Sequence, residues 1–269
     1  MHPIERLRYV ARASGGDQGM IVRETAGALA AFGADPHGLV TACRRIVARQ
    51  PISGPLVWLC ARVLTAGDPR GELWRAVEEV EGDRTPRELA HHLPDDATVV
   101  VLGWPEQAAV ALGRRGDLEI LVADTDHDAG SLVQRLVRNG GDATEIPLRG
   151  LSAAVVDADL VLVEATAAGP DAFLATSGSR AAAAVARHAE VPVWLVAGVG
   201  RLLPARMWTS LLERVDAVGD DPWETEVEAV PLDLVDRVVG PLGLEDPTSA
   251  LLRTDCPVAP ELCRSDLVL

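Results

Sequence analysis

Hydrophobic positions recur at helical spacing over the first third of the chain, then give way to short continuous apolar runs. Ile4, Leu7, Arg8 and Ala11 begin a first helix on this reading, and Met20-Ile21-Val22 through Phe32 form a second, ended by Gly33. A third runs from His37 to Arg49, with Leu39, Val40, Cys43 and Val47 on one face. Pro51 to Pro55 interrupt the pattern before a fourth helix over Leu56 to Leu64. Gly67-Asp68-Pro69 breaks that helix, and a fifth runs from Glu72 to Val80, carrying Trp74. Thr85-Pro86-Arg87-Glu88 has the form of a capped helix start, with Thr85 as cap. His91-His92 and Leu93-Pro94-Asp95-Asp96 close the segment.

The pattern then changes to strands alternating with helices. Val99 to Leu102, Leu118 to Ala123 and Ala143 to Ile146 read as buried strands, separated by a helix opened by Pro105 and another over Ser131 to Arg138. The densest unit spans Asp157 to Gly200. In it the strand Leu160 to Val163 precedes a Gly- and Ala-rich loop, an Ala-rich helix ending near His188-Ala189, and the strand Val191 to Val196. Either Ser177 or Ser179 would cap that helix. Met207 to Val215 and Pro231 to Val239 read as further helices. The expected fold class is α/β, a small helical N-terminal domain over 1–95 and a Rossmann-like open parallel sheet over 96–269. In such a fold, loop tips and helix N-termini gather at the carboxyl edge of the sheet, where ligands bind.

Composition narrows the partners. The formal net charge of −15 argues against a nucleic-acid partner and against an anionic membrane surface. There is no lysine: all 25 basic residues other than histidine are arginine, as codon bias in a GC-rich bacterial genome produces. No apolar run reads as a signal peptide or a membrane span, so a cytoplasmic location with reduced thiols is expected. Cys43 and Cys60 read as core, and Cys256 and Cys263 as free thiols, although the latter two could pair.

Candidate chemistry is thin. Asp124, Asp126, His127 and Asp128 follow a strand and could hold a hard cation or exchange protons; a solvated loop that caps the next helix is the commoner meaning of such a run. His91-His92 point apart on a helix and make a poor metal pair. Gly198-Val199-Gly200 opens a dinucleotide-type glycine pattern, but its third glycine position holds Leu203. Ser177 and Ser179 lack a nucleophile elbow. The helix start at Gly178-Ser179 is a good anion seat. No metal or cofactor is expected.

The order of these parts resembles one family, the alpha, beta and delta subunits of eukaryotic initiation factor 2B. Its enzyme members are methylthioribose-1-phosphate isomerase and ribose-1,5-bisphosphate isomerase. Asp157 to Val163 is similar to the strand leading into the family's Gly-Ala-Asp motif. Ser177-Gly178-Ser179 through Val193 is similar to its Gly-Thr helix and following strand, and Val230-Pro231-Leu232 to Pro260-Glu261-Leu262 to its C-terminal tail. The resemblance implies a homodimer with a phosphorylated sugar or nucleotide as ligand. Trp208, Trp223 and the run from Val235 to Leu244 offer apolar surface for such a dimer. It places the family's catalytic cysteine at Pro105 and its catalytic aspartate at Thr166, with Glu164 as the nearest carboxylate. The family's Asn-Lys pair falls on Ala175-Thr176, and a loop arginine falls on Asp126. Of its phosphate-binding arginines one survives as Arg23, while another falls on Gln50, next to Arg49. The ligand-facing set so implied is Arg23, Gly103, Asp124, Asp126, Thr166, Ser177, Gly178 and Ser179. These substitutions point to a non-catalytic binding or regulatory relative, a pseudoenzyme. The alternative is an aldose–ketose isomerase on a phosphorylated ribose that uses substituted residues such as Asp124, Asp126 or Glu164.

Overall fold

The computed structural model describes residues 18–32, 35–125, 127–216, 221 and 223–263. The helix expected at Ile4 to Ala11 and the stop at Gly33 lie outside the described residues. Five helices come first: α1 (Gln18–Leu29), α2 (Pro36–Arg49), α3 (Gly54–Thr65), α4 (Pro69–Glu81) and α5 (Thr85–His92). Three of them start on one device, a polar cap followed by proline in the first turn. Asp35 accepts from the Gly38 amide, Ser53 from Leu56 and Asp68 from Gly71. Helix α3 is apolar nearly all round, and Leu56 through Ala61 are fully buried, so it is the axis about which α1, α2 and α4 pack.

The main sheet has seven strands in the order β10-β9-β7-β4-β1-β2-β3. Its members are β1 (Thr98–Leu102), β2 (Glu119–Asp124), β3 (Asp142–Pro147), β4 (Leu160–Glu164), β7 (Val193–Val196), β9 (Arg237–Gly240) and β10 (Gly243–Glu245). All neighbours are parallel except the edge hairpin β9–β10. Alternation along the strands divides two cores. Val100, Leu102, Val161 and Val163 face α8 (Leu151–Asp157) and α9 (Ser179–Ala189); Val99, Val101, Leu160 and Leu162 face α5, α6 (Glu106–Leu112) and α7 (Ala129–Arg138). The chain builds outward from β1 to β3, then returns to lay β4 on the other side of β1. The order therefore reverses between β1 and β4.

This is the expected α/β class: a helical N-terminal region, then a Rossmann-like, mostly parallel sheet. Several details differ. The Gly- and Ala-rich stretch after β4 is not a loop: β5 (Ala167–Ala168) and β6 (Ala172–Thr176) turn back on each other and pair with β8 (Val227–Pro231) in a second, antiparallel sheet. Their alanines are small enough to be buried against the helical core. Residues 231–239 do not form the expected helix. A single 3-10 turn at Leu232–Leu234 leads into β9, where the β-branched Val238 and Val239 pair with Leu195 and Val196 of β7. The Thr85 hydroxyl does not cap α5; it donates to Asp83 at 2.6 Å. Neither Ser177 nor Ser179 caps α9, whose cap position is Gly178 at φ +98°. Trp208, on α10 (Ala205–Asp216), is buried against Gly169 instead of offering a docking surface.

Candidate functional site

The reversal between β1 and β4 puts Gly103 and Trp104 on one side of a crevice and Glu164 on the other. Gly103 stands at φ +58°, which glycine alone adopts without cost, and a Cβ there would meet the Thr125 hydroxyl at 2.8 Å. This turn starts α6 at the crevice floor. Glu164 ends β4, and its carboxylate reaches the start of α6: one oxygen accepts from the amides of Gln107 and Ala108, each at 2.9 Å. The other accepts from Arg201 Nη1 at 2.8 Å. Free amides at a helix start bind anions, and here the anion is part of the chain.

Arg201 lies in the turn after β7, where Gly200 at φ +75° bends the backbone against Trp58 and Pro55. Its side chain is only 4% exposed and that of Glu164 8%. The guanidinium also reaches Glu106 at 3.0 Å and the carbonyl of Ala165 at 2.6 Å. Burial works against the Arg201 charge, but the Glu164 and Glu106 carboxylates outweigh it and hold its pKa above the ordinary guanidinium value. Asp83 ties the same wall to the helices. It accepts from Gln107 Nε2 at 2.7 Å and from the Val199 amide at 2.8 Å, and its other oxygen holds the start of α5.

The start of α9 is filled in the same way. Glu228, on β8, accepts from the amides of Gly178 at 2.7 Å and Arg180 at 2.9 Å. The anion seat expected at Gly178-Ser179 therefore holds a carboxylate of the protein itself. Between these elements lies an inner cavity of about 190 Å³, lined in part by Glu164, Thr166, Thr176, Ser179 and Arg201. Outside it, a cleft of about 1020 Å³ runs between the helices and the sheet edge, past Arg23, Asp83, Trp104 and Arg135.

Of the residues singled out in the sequence, Glu164, Thr166, Ser179 and Pro105 share the inner cavity. Arg23 faces the outer cleft but is held by Glu81 at 2.6 Å. Thr166 is fixed by its amide, which donates to the Leu174 carbonyl at 2.8 Å. The Ser177 hydroxyl points the other way, to the carbonyl of Thr225. Asp124 ends β2 with one oxygen buried and unpartnered, 3.6 Å from His127 at the other. Asp126 lies outside the described residues. Among the described residues no group of three His, Cys, Asp or Glu could hold a metal ion. Arg201, Asp83, Glu106, Gln107 and Trp104 were not singled out.

No protein-family model and no curated protein matches the sequence. Solved structures do. The translation initiation factor eIF-2B of Pyrococcus horikoshii superposes with a TM-score of 0.75 over 93% of this chain and 98% of that one, at 12% identity. The beta subunit of eIF2B from Chaetomium thermophilum gives 0.73 over 97% and 91%, at 17% identity. The tetrameric beta2-delta2 complex from C. thermophilum gives 0.70 over 93% and 91%, at 18% identity.

The fold is that of an initiation factor 2B subunit.

Within the initiation factor 2B fold, the order reversal of the sheet sets the crevice, and this chain furnishes it with its own groups. Pro105 occupies the cap position of α6 and has no titratable group. Thr166 stands two residues past Glu164, and its hydroxyl does not ionise near neutral pH. Among the described residues no helix is long and apolar enough to cross a membrane.

Proposed function

We propose that this chain is a divergent member of the initiation-factor-2B-like family that binds or regulates and does not catalyse sugar-phosphate isomerisation. The observation that carries the reading is the occupancy of the crevice by internal charges: Glu164 on the start of α6 and Glu228 on the start of α9. A phosphate entering there meets carboxylates where it needs free amides, and at short range in a half-buried site that repulsion amounts to several kcal/mol. Two of the nearby cations, Arg201 and Arg23, are already paired with Glu164, Glu106 and Glu81. Pro105 and Thr166, at the positions where the family resemblance places cysteine and aspartate, remove the acid–base pair as well. Positioned proton transfer contributes roughly 10²–10⁴-fold, and neither side chain can supply it.

The expected assembly is a cytoplasmic homodimer through the C-terminal half. Trp223 and Leu242 support it, being 79% and 67% exposed. One of the similar structures, the beta2-delta2 complex from C. thermophilum, is a tetramer. Sedimentation at micromolar concentration should give a dimer, and monomer alone would refute this.

The second reading, an isomerase with substituted residues, is favoured by one feature: Glu164 lines the inner cavity. One assay separates the two. Purified protein should give no turnover of methylthioribose-1-phosphate or ribose-1,5-bisphosphate above background. Turnover that disappears in Glu164→Gln would establish the enzyme reading with Glu164 as the substitute acid or base.

A further inference from the structure

We propose that the inner cavity takes one uncharged polyhydroxy ring or chain of pentose size, and selects against its phosphate esters. This rests on the non-catalytic reading above and names the ligand class of the same site. Three features of the wall point that way, the first being size. At about 190 Å³ the cavity is smaller than the roughly 300–1,000 Å³ of pockets that hold drug-sized ligands, and it suits a single small ring.

The second is the set of hydrogen-bonding groups left over once the protein's own bonds are made. Ser179 is 2% exposed, lines the cavity and has no side-chain partner among the described residues; the Thr176 hydroxyl is likewise unbonded. Thr166 makes only a long bond of 3.4 Å to the Leu174 carbonyl. Arg201, nine-tenths buried in the same wall, has its Nε without a partner. A buried donor such as Arg201 Nε is normally satisfied, and the hydroxyls of a ligand both donate and accept, as this donor and the cavity-facing hydroxyls of Thr166, Thr176 and Ser179 require. Trp104 lines the same cavity and the cleft outside it, with the Arg135 guanidinium 5.8 Å from its ring centroid. Its indole gives a flat apolar face for the C–H side of a ring.

The third is charge. Glu164 and Glu106 line the cavity against one guanidinium, that of Arg201, and Glu228 stands behind Ser179 on the α9 amides. Four amides that would otherwise draw a phosphate to this corner, those of Gln107, Ala108, Gly178 and Arg180, already donate to a carboxylate. A neutral ligand avoids the repulsion that a dianion meets.

Isothermal titration of the purified full chain with D-ribose, ribitol and D-ribose 5-phosphate tests this. The expected result is that D-ribose or ribitol binds at least tenfold more tightly than the phosphate ester. Ser179→Ala and Thr176→Val should each weaken the neutral ligand by about threefold or more, as loss of one hydrogen bond implies. Glu228→Gln should narrow the preference by removing charge from the α9 start. Far-UV circular dichroism and melting temperature check that each variant folds, and if Ser179→Ala does not, Thr176→Val carries the test. Equal or tighter binding of ribose 5-phosphate overturns the inference. So does the absence of heat with both neutral compounds at millimolar concentration; with no turnover in the isomerase assay, that result leaves the non-catalytic reading standing. Turnover in that assay removes the reading itself.

Discussion

Arg201 holds two carboxylates and a carbonyl on one buried guanidinium, so its removal leaves Glu164 in the interior without a counter-charge, held only by the amides of α6. Breaking a buried pair from one side costs about 3–5 kcal/mol. Arg201→Met should lower stability by that amount in urea unfolding, and the double variant with Glu164→Gln should recover part of it. A loss below about 1 kcal/mol would mean the pair is solvated. The thiols give a second test. Burial pushes the Cys256 thiol up to about 12 from an ordinary value near 9, and a hydrogen bond with Cys43 together with burial raises Cys60. A raised folded pKa means the unfolded chain loses its protons first. Stability is therefore unaffected by these thiols below about pH 9 and falls as pH rises from there toward 12. At pH 8 a thiol reagent should find at most one accessible group, Cys263, in the native protein and all four after denaturation. At this scale Glu164 was legible because it ends an apolar run at the sheet edge. Arg201 was not, since nothing local marks it among 25 arginines; only the bend at Gly200 aims it inward.

Among the elements, the five helices and the buried parallel strands follow from apolar periodicity and from polar-cap and proline starts, which depend only on near neighbours. The second sheet was hidden because its strands are short and alanine-rich, and because β6 pairs with β8, more than fifty residues further on. Residues 231–239 misled for a related reason: Leu232, Val235 and Val239 recur at helical spacing, yet the edge of β7 offers Val238 and Val239 a ladder. The β5–β6 turn is pinned by Gly169, whose amide donates to Ala172 and whose missing Cβ makes room for Trp208. An added Cβ would come within 2.1 Å of the buried indole. Gly169→Ala should therefore destabilise by about 1–3 kcal/mol through overpacking, read as a lower denaturation midpoint. An unchanged midpoint would mean that Trp208 is free to move away.

Across the whole molecule, the N-terminal helices share one core with distant parts of the chain. Helices α1 to α4 bury Leu29, Trp58 and Leu73 together with Leu174, Trp208, Cys256, Ala259 and Leu262. The last three belong to a C-terminal strap, fastened where the Arg44 guanidinium donates to the Glu261 carbonyl at 2.8 Å. A chain ending at Arg253 loses these buried side chains and should be less stable by about 3 kcal/mol or more, which urea unfolding would measure. The plan of helices first and a parallel sheet after them was legible in sequence order; this strap was not, because its polar and apolar residues show no regular period. The same long-range assembly brings Glu164, Glu228 and Arg201 to one crevice, from a strand end, a second sheet and a turn. Glu164 and Glu228 fill the anion seats at the starts of α6 and α9. A crystal structure grown with saturating ribose-1,5-bisphosphate tests this occupancy most directly. Glu164 should stay on the amides of Gln107 and Ala108 and Glu228 on those of Gly178 and Arg180, with no phosphate in the crevice; a phosphate on either set of amides, with its carboxylate displaced, would be the contrary result.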